Sequence, residues 1–255
     1  MRSAYSAISK YYDRFNEELD YDRWAAFCAH YLPEKGLVLD LACGTGNMSL
    51  ALAKRGYEVI GTDISCDMLS VAREKAAAAG LPVLFLNQDM TELDLYGTID
   101  GAVCCLDSIN YLLEPASLSA CFGRVSLFLN PGGVFLFDVN TPYKFKTVYG
   151  ENHYVLEDDR VLIAWRNQFD EASGLCDFAL DVFTENDQGA YNRQSESHQE
   201  RCYTVDQLRQ AAVGAGLMVE GIYSDFNHTP YTKDESCERW YFVLRKPADV
   251  EKERN

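Results

Sequence analysis

Two glycines separated by one residue, Gly44 and Gly46, follow the apolar run Val38-Leu39-Asp40-Leu41-Ala42. Glycine permits a sharp turn at a strand end and, lacking a Cβ, lets a ligand approach the backbone closely. On its own this pair makes only a tight turn. The next apolar run, Glu58-Val59-Ile60-Gly61-Thr62, ends in Asp63. That is about 20 residues past the glycine turn, where a carboxylate can accept hydrogen bonds from the two vicinal hydroxyls of a ribose. Gln88-Asp89-Met90 closes a third apolar run, Val83-Leu84-Phe85-Leu86, and Leu106-Asp107-Ser108-Ile109-Asn110-Tyr111 follows a fourth that ends at Cys104-Cys105. Nucleoside binding is the chemistry this pattern supports. For acid–base work, Asp107, Tyr111, His153, His198 and His228 have suitable side chains, although a histidine at such positions is more often exposed or internally satisfied than a base.

A dinucleotide fingerprint would carry a third glycine three residues after the second. Ser49 stands there instead, which counts against NAD or FAD. A nicotinamide-dependent oxidoreductase is therefore the weaker alternative, and hydride-transfer partners are not evident.

These residues need strands to hold them. The run ending at Leu41 reads as a strand buried on both faces. Asn47 reads as an N-cap, and Met48, Leu50 and Ala51 continue as a helix. Ser65-Cys66-Asp67 caps a further helix that reaches Ala79 and stops at Gly80. Asn130-Pro131-Gly132-Gly133 reads as a turn into a fifth strand, residues 134–139. Alternation of strand and helix gives an α/β fold.

With Leu39-Asp40-Leu41-Ala42-Cys43-Gly44-Thr45-Gly46, then Asp63, then Gln88-Asp89-Met90, then Asn130-Pro131-Gly132-Gly133, the chain resembles the class I S-adenosylmethionine-dependent methyltransferases of small-molecule type. The resemblance implies a doubly wound, seven-stranded, mostly parallel sheet with an antiparallel last strand. It implies S-adenosyl-L-methionine as cofactor, with the glycine turn (Asp40, Ala42, Gly44, Thr45, Gly46) beneath the methionine part. Asp63 would then take the ribose, and Gln88, Asp89 and Met90 the adenine, flanked by Ile64 and Met68. Cys105 and Leu106 would line the cofactor, and Asp107, Asn110 and Asn140 the acceptor. A tyrosine of the Tyr11-Tyr12-Asp13 cluster, Tyr12 foremost, would touch the methionine carboxylate. The absent third glycine agrees, because this cofactor carries no phosphate for a helix N-terminus to hold. A protein that binds the cofactor without turnover would show the same residues.

The organisation expected is an N-terminal helical lid over residues 1–35, a cofactor-binding core over 36–142 and 204–247, and an inserted β cover over 143–203. The insert is where the hydrophobic period changes from that of helices to that of strands, with the turn Asn186-Asp187-Gln188-Gly189 within it. Thr204-Val205-Asp206-Gln207 is a capping box that returns the chain to helix. A formal net charge of −16 argues against a nucleic-acid substrate. No apolar run is long enough to span a membrane. Nine scattered cysteines without a C-x-x-C pair suggest neither a metal site nor a disulfide framework, and fit a reducing cytoplasm. The expected partner is a small-molecule acceptor, and the expected assembly a monomer or homodimer.

Overall fold

The computed structural model describes residues 13, 16, 18–233 and 236–248. Tyr11 and Tyr12 lie outside them. In chain order the elements are α1 (Tyr21–Tyr31), β1 (Leu37–Leu41), α2 (Asn47–Lys54), β2 (Glu58–Asp63), α3 (Cys66–Ala79), β3 (Val83–Asn87), β4 (Ile99–Cys104) and α4 (Pro115–Phe128). Then come β5 (Leu129–Asn140), β6 (His153–Asp158), β7 (Val161–Asp170), β8 (Leu175–Glu185), β9 (Tyr191–Arg201), α5 (Val205–Gly214), β10 (Met218–Tyr223) and β11 (Arg239–Arg245).

Seven strands form one sheet in the order β10-β11-β5-β4-β1-β2-β3. β1 pairs in parallel with β2 (Leu39 opposite Ile60) and with β4 (Leu39 opposite Ala102). β11 runs antiparallel to both of its neighbours. The chain winds outward from β1 through β2 to β3, then returns to β4 on the other side. The order therefore reverses between β1 and β4, and in such sheets a crevice opens beyond the carboxyl ends of the strands at that point.

Alternation along each strand sorts side chains onto two faces. Leu39, Leu41, Ala102, Cys104, Phe135 and Phe137 pack with α4 and α5. Val38, Val103, Val134 and Leu136 pack with α1 and α2. A second, four-stranded antiparallel sheet, β6-β7-β8-β9, carries its own core around Ile163, Phe178, Leu180 and Val182. One wide helical turn, Lys144–Tyr149, leads into it, and Phe145 and Tyr149 join that core.

The caps at Ser65, Gly80 and Thr204 are as read from the sequence. Two local expectations are corrected. α2 is capped by Gly46 in the left-handed region, φ 80°, with Asn47 as its first residue. The Asn130-Pro131-Gly132-Gly133 segment lies within β5, which starts at Leu129. It is absorbed as a register shift between the partners of Ile99 and Gly101, because Gly132 N–H and Gly133 C=O bond to Lys246 rather than closing a hairpin on themselves.

Candidate active site

Three non-glycine residues sit in the left-handed region at the reversal point: Ala42 (φ 56°), just past β1, and Leu106 (φ 58°) and Asp107 (φ 52°), just past β4. Each costs roughly 1–2 kcal/mol, so something must hold them. For Leu106 and Asp107 it is Asp138. This fully buried carboxylate on β5 accepts both backbone N–H groups, at 2.8 and 2.9 Å. Arg239 on β11 donates to Asp138 and also pairs with the Asp107 carboxylate at 2.7 Å. The corner of the crevice is thus built on a buried Asp–Arg–Asp bracket.

The main cleft, about 230 Å³, is lined by Ala42, Gly44, Asp63, Ile64, Ser65, Met68, Gln88, Asp89, Met90, Leu106, Ser108, Tyr111 and Leu112. Asp63 ends β2 and holds the glycine turn, accepting from Gly44 N–H (2.8 Å) through Oδ2 and from Ser65 N–H (2.7 Å) through Oδ1. Burial raises its carboxyl above the usual range, and those backbone donors offset part of the rise. Asp89 spends Oδ1 on the Thr91 N–H and hydroxyl. Gln88 lines the cleft, but both ends of its amide are tied to the Asp94 backbone, so it braces the loop. Met68 is buried, whereas Ile64 keeps 63% of its surface exposed.

A narrower extension, about 40 Å³, is lined by Asp40, Thr45 and Cys105 together with Tyr21, Asn47 and Met48. Asp40 is buried and accepts from the Ser49 hydroxyl at 2.5 Å. Burial, only partly offset by that bond, moves its carboxyl up to about 7. A glycine at position 49 would leave Asp40 without this donor. Gly46 lines neither space. A Cβ there would stand 2.9 Å from Ala72 Cβ, so its glycine serves the packing of α2 against α3. Above the turn, Asp13 accepts from Thr45 Oγ1 (2.6 Å) and Asn47 Nδ2 (2.8 Å) and pairs with Lys75 (2.6 Å). Asp13 is therefore tied to the glycine turn.

A third cavity, about 270 Å³, lies between the corner and the second sheet. Asp107, Lys144, Tyr149, Trp165, His198, Glu200 and Arg239 bring charge and aromatic rings to it, and Leu106 and Tyr111 are shared with the main cleft. Burial alone would raise the Asp107 carboxyl, but Arg239 and Lys144 outweigh it and hold it below the usual range. Burial lowers His198 to about 4, and its ring lies over Phe178 at 5.3 Å.

Several expected site residues are elsewhere or otherwise engaged. Asn110 and Asn140 are fully buried and act as brackets. Asn110 accepts from Asn140 N–H and donates to Arg201 C=O, while the Asn140 side chain joins Lys144 to Glu200. Neither lines any of the three spaces, because each side chain is spent on joining β5 to its neighbours. His228 packs among Phe27 (5.0 Å), His30 (4.8 Å) and Tyr223 (5.4 Å) and lines none of the three spaces. His153 is exposed at the start of β6. Sequence reasoning missed Tyr21, Lys144, Tyr149, Trp165, Glu200 and Arg239. For Arg239 alone was there a cue, an arginine opening a strand whose middle five residues are apolar or aromatic.

A methyltransferase domain model matches residues 38–133. Over 249 residues the chain is 34% identical to the putative methyltransferase YqeM of Bacillus subtilis, covering 96% of this chain and 98% of that one. A solved S-adenosylmethionine-dependent methyltransferase from Clostridium acetobutylicum superposes with a TM-score of 0.84 at 30% identity, covering 96% and 100% of the two chains. This chain belongs to the S-adenosylmethionine-dependent methyltransferases. As a methyltransferase it is an enzyme that uses S-adenosylmethionine as its methyl donor, and the crevice at the β1–β4 reversal is where that fold opens. A dTDP-3-amino-3,6-dideoxy-alpha-D-glucopyranose N,N-dimethyltransferase of Streptomyces fradiae is a further relative, 26% identical over 208 residues and covering 79% of each chain. Among the described residues no helix of this methyltransferase is long and apolar enough to cross a membrane, and no cluster of metal-ligating side chains is present.

Proposed function

We propose that this methyltransferase acts on a small molecule held in the cavity beneath the second sheet, with the cofactor in the main cleft and its narrow extension. The observation that carries this reading is the shared corner. Leu106 and Tyr111 line both the cleft and the cavity, so a donor and an acceptor would meet there and nowhere else along the cleft.

The residues fit S-adenosylmethionine. The Asp63 carboxylate, held by the Gly44 and Ser65 N–H groups, keeps acceptor capacity for a ribose hydroxyl. The exposed Ile64, opposite Met90 across the same cleft lining, offers apolar surface to an adenine. Asp89 keeps Oδ2 for the ring's amino group. Asp40, Thr45, Asn47 and Tyr21 surround the narrow end, which suits the methionine portion. When bound, the cofactor supplies a methyl group made electrophilic by its sulfonium. The chain's task is then to align a nucleophile, keep water out and, where the acceptor arrives protonated, take a proton. His198 is kept neutral by burial and lines the acceptor cavity. Asp107, neutralised by Arg239, is a weak base and serves better to fix the corner.

In this reading Asp13 and α1 close over the glycine turn, and residues 143–203 roof the acceptor. A cytoplasmic enzyme without nucleic-acid substrates, monomeric or dimeric, fits the charge. The relative from Streptomyces fradiae, named for a small amino sugar, supports an acceptor of that size. Incubation with S-adenosylmethionine and a panel of small amines, alcohols and carboxylic acids, alongside RNA and protein, should release S-adenosylhomocysteine with small acceptors alone. Release only with a macromolecule would overturn the proposal.

A further inference from the structure

The acceptor cavity holds more hydrogen-bond donors than the protein itself satisfies. Lys144 Nζ donates to Asn140 Oδ1 at 3.0 Å and lies 5.1 Å from the centre of the Tyr149 ring. Among the described residues no carboxylate oxygen lies within 4 Å of it. The Trp165 indole, 6.2 Å from the Tyr149 ring centre to centre, buries an Nε1–H with no hydrogen-bond partner. The Tyr149 hydroxyl accepts from Asn140 Nδ2 at 3.5 Å, so its own proton is not used by that contact. Lys144, Tyr149 and Trp165 line one cavity wall, two of them with neighbouring rings and one with a charge, and their donors call for an acceptor-rich anion.

We propose that the methyl acceptor is a carboxylate-bearing small molecule, its carboxylate held by Lys144 with Trp165 Nε1 and the Tyr149 hydroxyl as flanking donors. This rests on the methyl-transfer reading above and names the substrate class of the same site. Arg239 cannot take this role, since Asp138 and Asp107 already claim its guanidinium. The remaining acid of the wall does not compete for the ammonium. Glu200 Oε2 already accepts from Asn140 Nδ2 at 3.0 Å, and burial, with Asp107 nearby, pushes its carboxyl well above the usual range. Burial and the charge of Arg239 lower Lys144, and the charges of Asp107, Glu238 and Glu200 offset part of that. A cationic acceptor caged by aromatic rings fits less well, because the Lys144 ammonium already lies by the Tyr149 ring and would repel it. With the carboxylate at Lys144, Leu156, Ile163 and Leu180 contact the body of the molecule, and its far end reaches Tyr111 at the corner.

The probe is benzoate, titrated calorimetrically into the full chain saturated with S-adenosylhomocysteine, with benzamide and benzylamine as isosteric controls. Benzoate should bind roughly tenfold or more tightly than benzamide, the worth of one charge-assisted bond, and benzylamine weakest. Lys144→Gln should erase the preference while S-adenosylhomocysteine affinity stays as in the wild type. Lys144→Arg should retain most of it, and Trp165→Phe should weaken benzoate binding several-fold. Equal binding of benzoate and benzamide, tighter binding of benzylamine, or a preference that survives Lys144→Gln would overturn the proposal. The heat of S-adenosylhomocysteine binding is read separately. If it is present without a benzoate preference, the carboxylate assignment alone fails; if it is absent, the cofactor cleft fails.

Discussion

Asp40 is buried and His198 half-buried, and desolvation moves them in opposite senses. Asp40 rises from 3.8 to about 7, so between those values the folded chain keeps a proton that the unfolded chain has lost. Its contribution to stability therefore falls as pH rises through that window. His198 drops from 6.5 to about 4, so the unfolded chain binds a proton that the folded chain refuses, and its contribution falls as pH drops through 6.5. In the wild type the two slopes partly cancel. Asp40→Asn should unmask the histidine slope, giving a melting temperature that rises more steeply from pH 4 to 6.5 and then holds. His198→Gln should unmask the opposite one. Profiles parallel to the wild type would place both groups in water. At this scale the sequence showed the residue types but not their burial. Asp40 lies in an apolar run, and its partner Ser49 read only as a missing glycine. His198 lies in a strand that is polar on both faces, so nothing local marked it as half-buried.

The elements around the crevice were largely legible, because period-2 and period-3.6 patterns and good caps agree with one another. What escaped was whatever depends on pairing between distant segments. Asp138 and Arg239 are 101 residues apart and meet only because β11 returns antiparallel beside β5, with Tyr241 opposite Asp138 and Arg239 opposite Asn140. Nothing in either segment announces the other. The same holds for Asn110 and Asn140, which look like ligand groups until β5 and β9 are laid beside them. Arg239→Gln leaves two buried carboxylates without their cation and should cost about 3–5 kcal/mol in urea unfolding. Adding Asp138→Asn should cost much less than the sum of the single variants. Additive losses would mean the two act independently of the Leu106–Asp107 corner.

For the whole molecule, the alternation of strand and helix made the α/β class legible, and the resemblance implied the seven-stranded sheet with its antiparallel last strand. The cavity beneath the second sheet was not legible, since its walls come from β6, β7, β8, β9 and β11 and from the segments before α1, after β4 and after β5. Because the main cleft, the proposed cofactor site, joins β1, β2 and β4 at their carboxyl ends, a ligand there stabilises the folded chain as a unit. S-adenosylhomocysteine at about 100 times its dissociation constant should add about 2.7 kcal/mol. For a chain of this size that raises the melting temperature by roughly 5–10 °C. A far smaller shift at saturation would mean that the ligand binds the unfolded chain as well.

Isothermal titration of S-adenosylhomocysteine into the wild type and Asp63→Ala is the most direct measurement. The expected result is one site per chain in the wild type and binding weakened roughly 10–100-fold in the variant, as for a lost hydrogen-bonded charge. No heat with the wild type, or equal affinity in a folded Asp63→Ala, would contradict the placement of the cofactor at the β1–β2 turn.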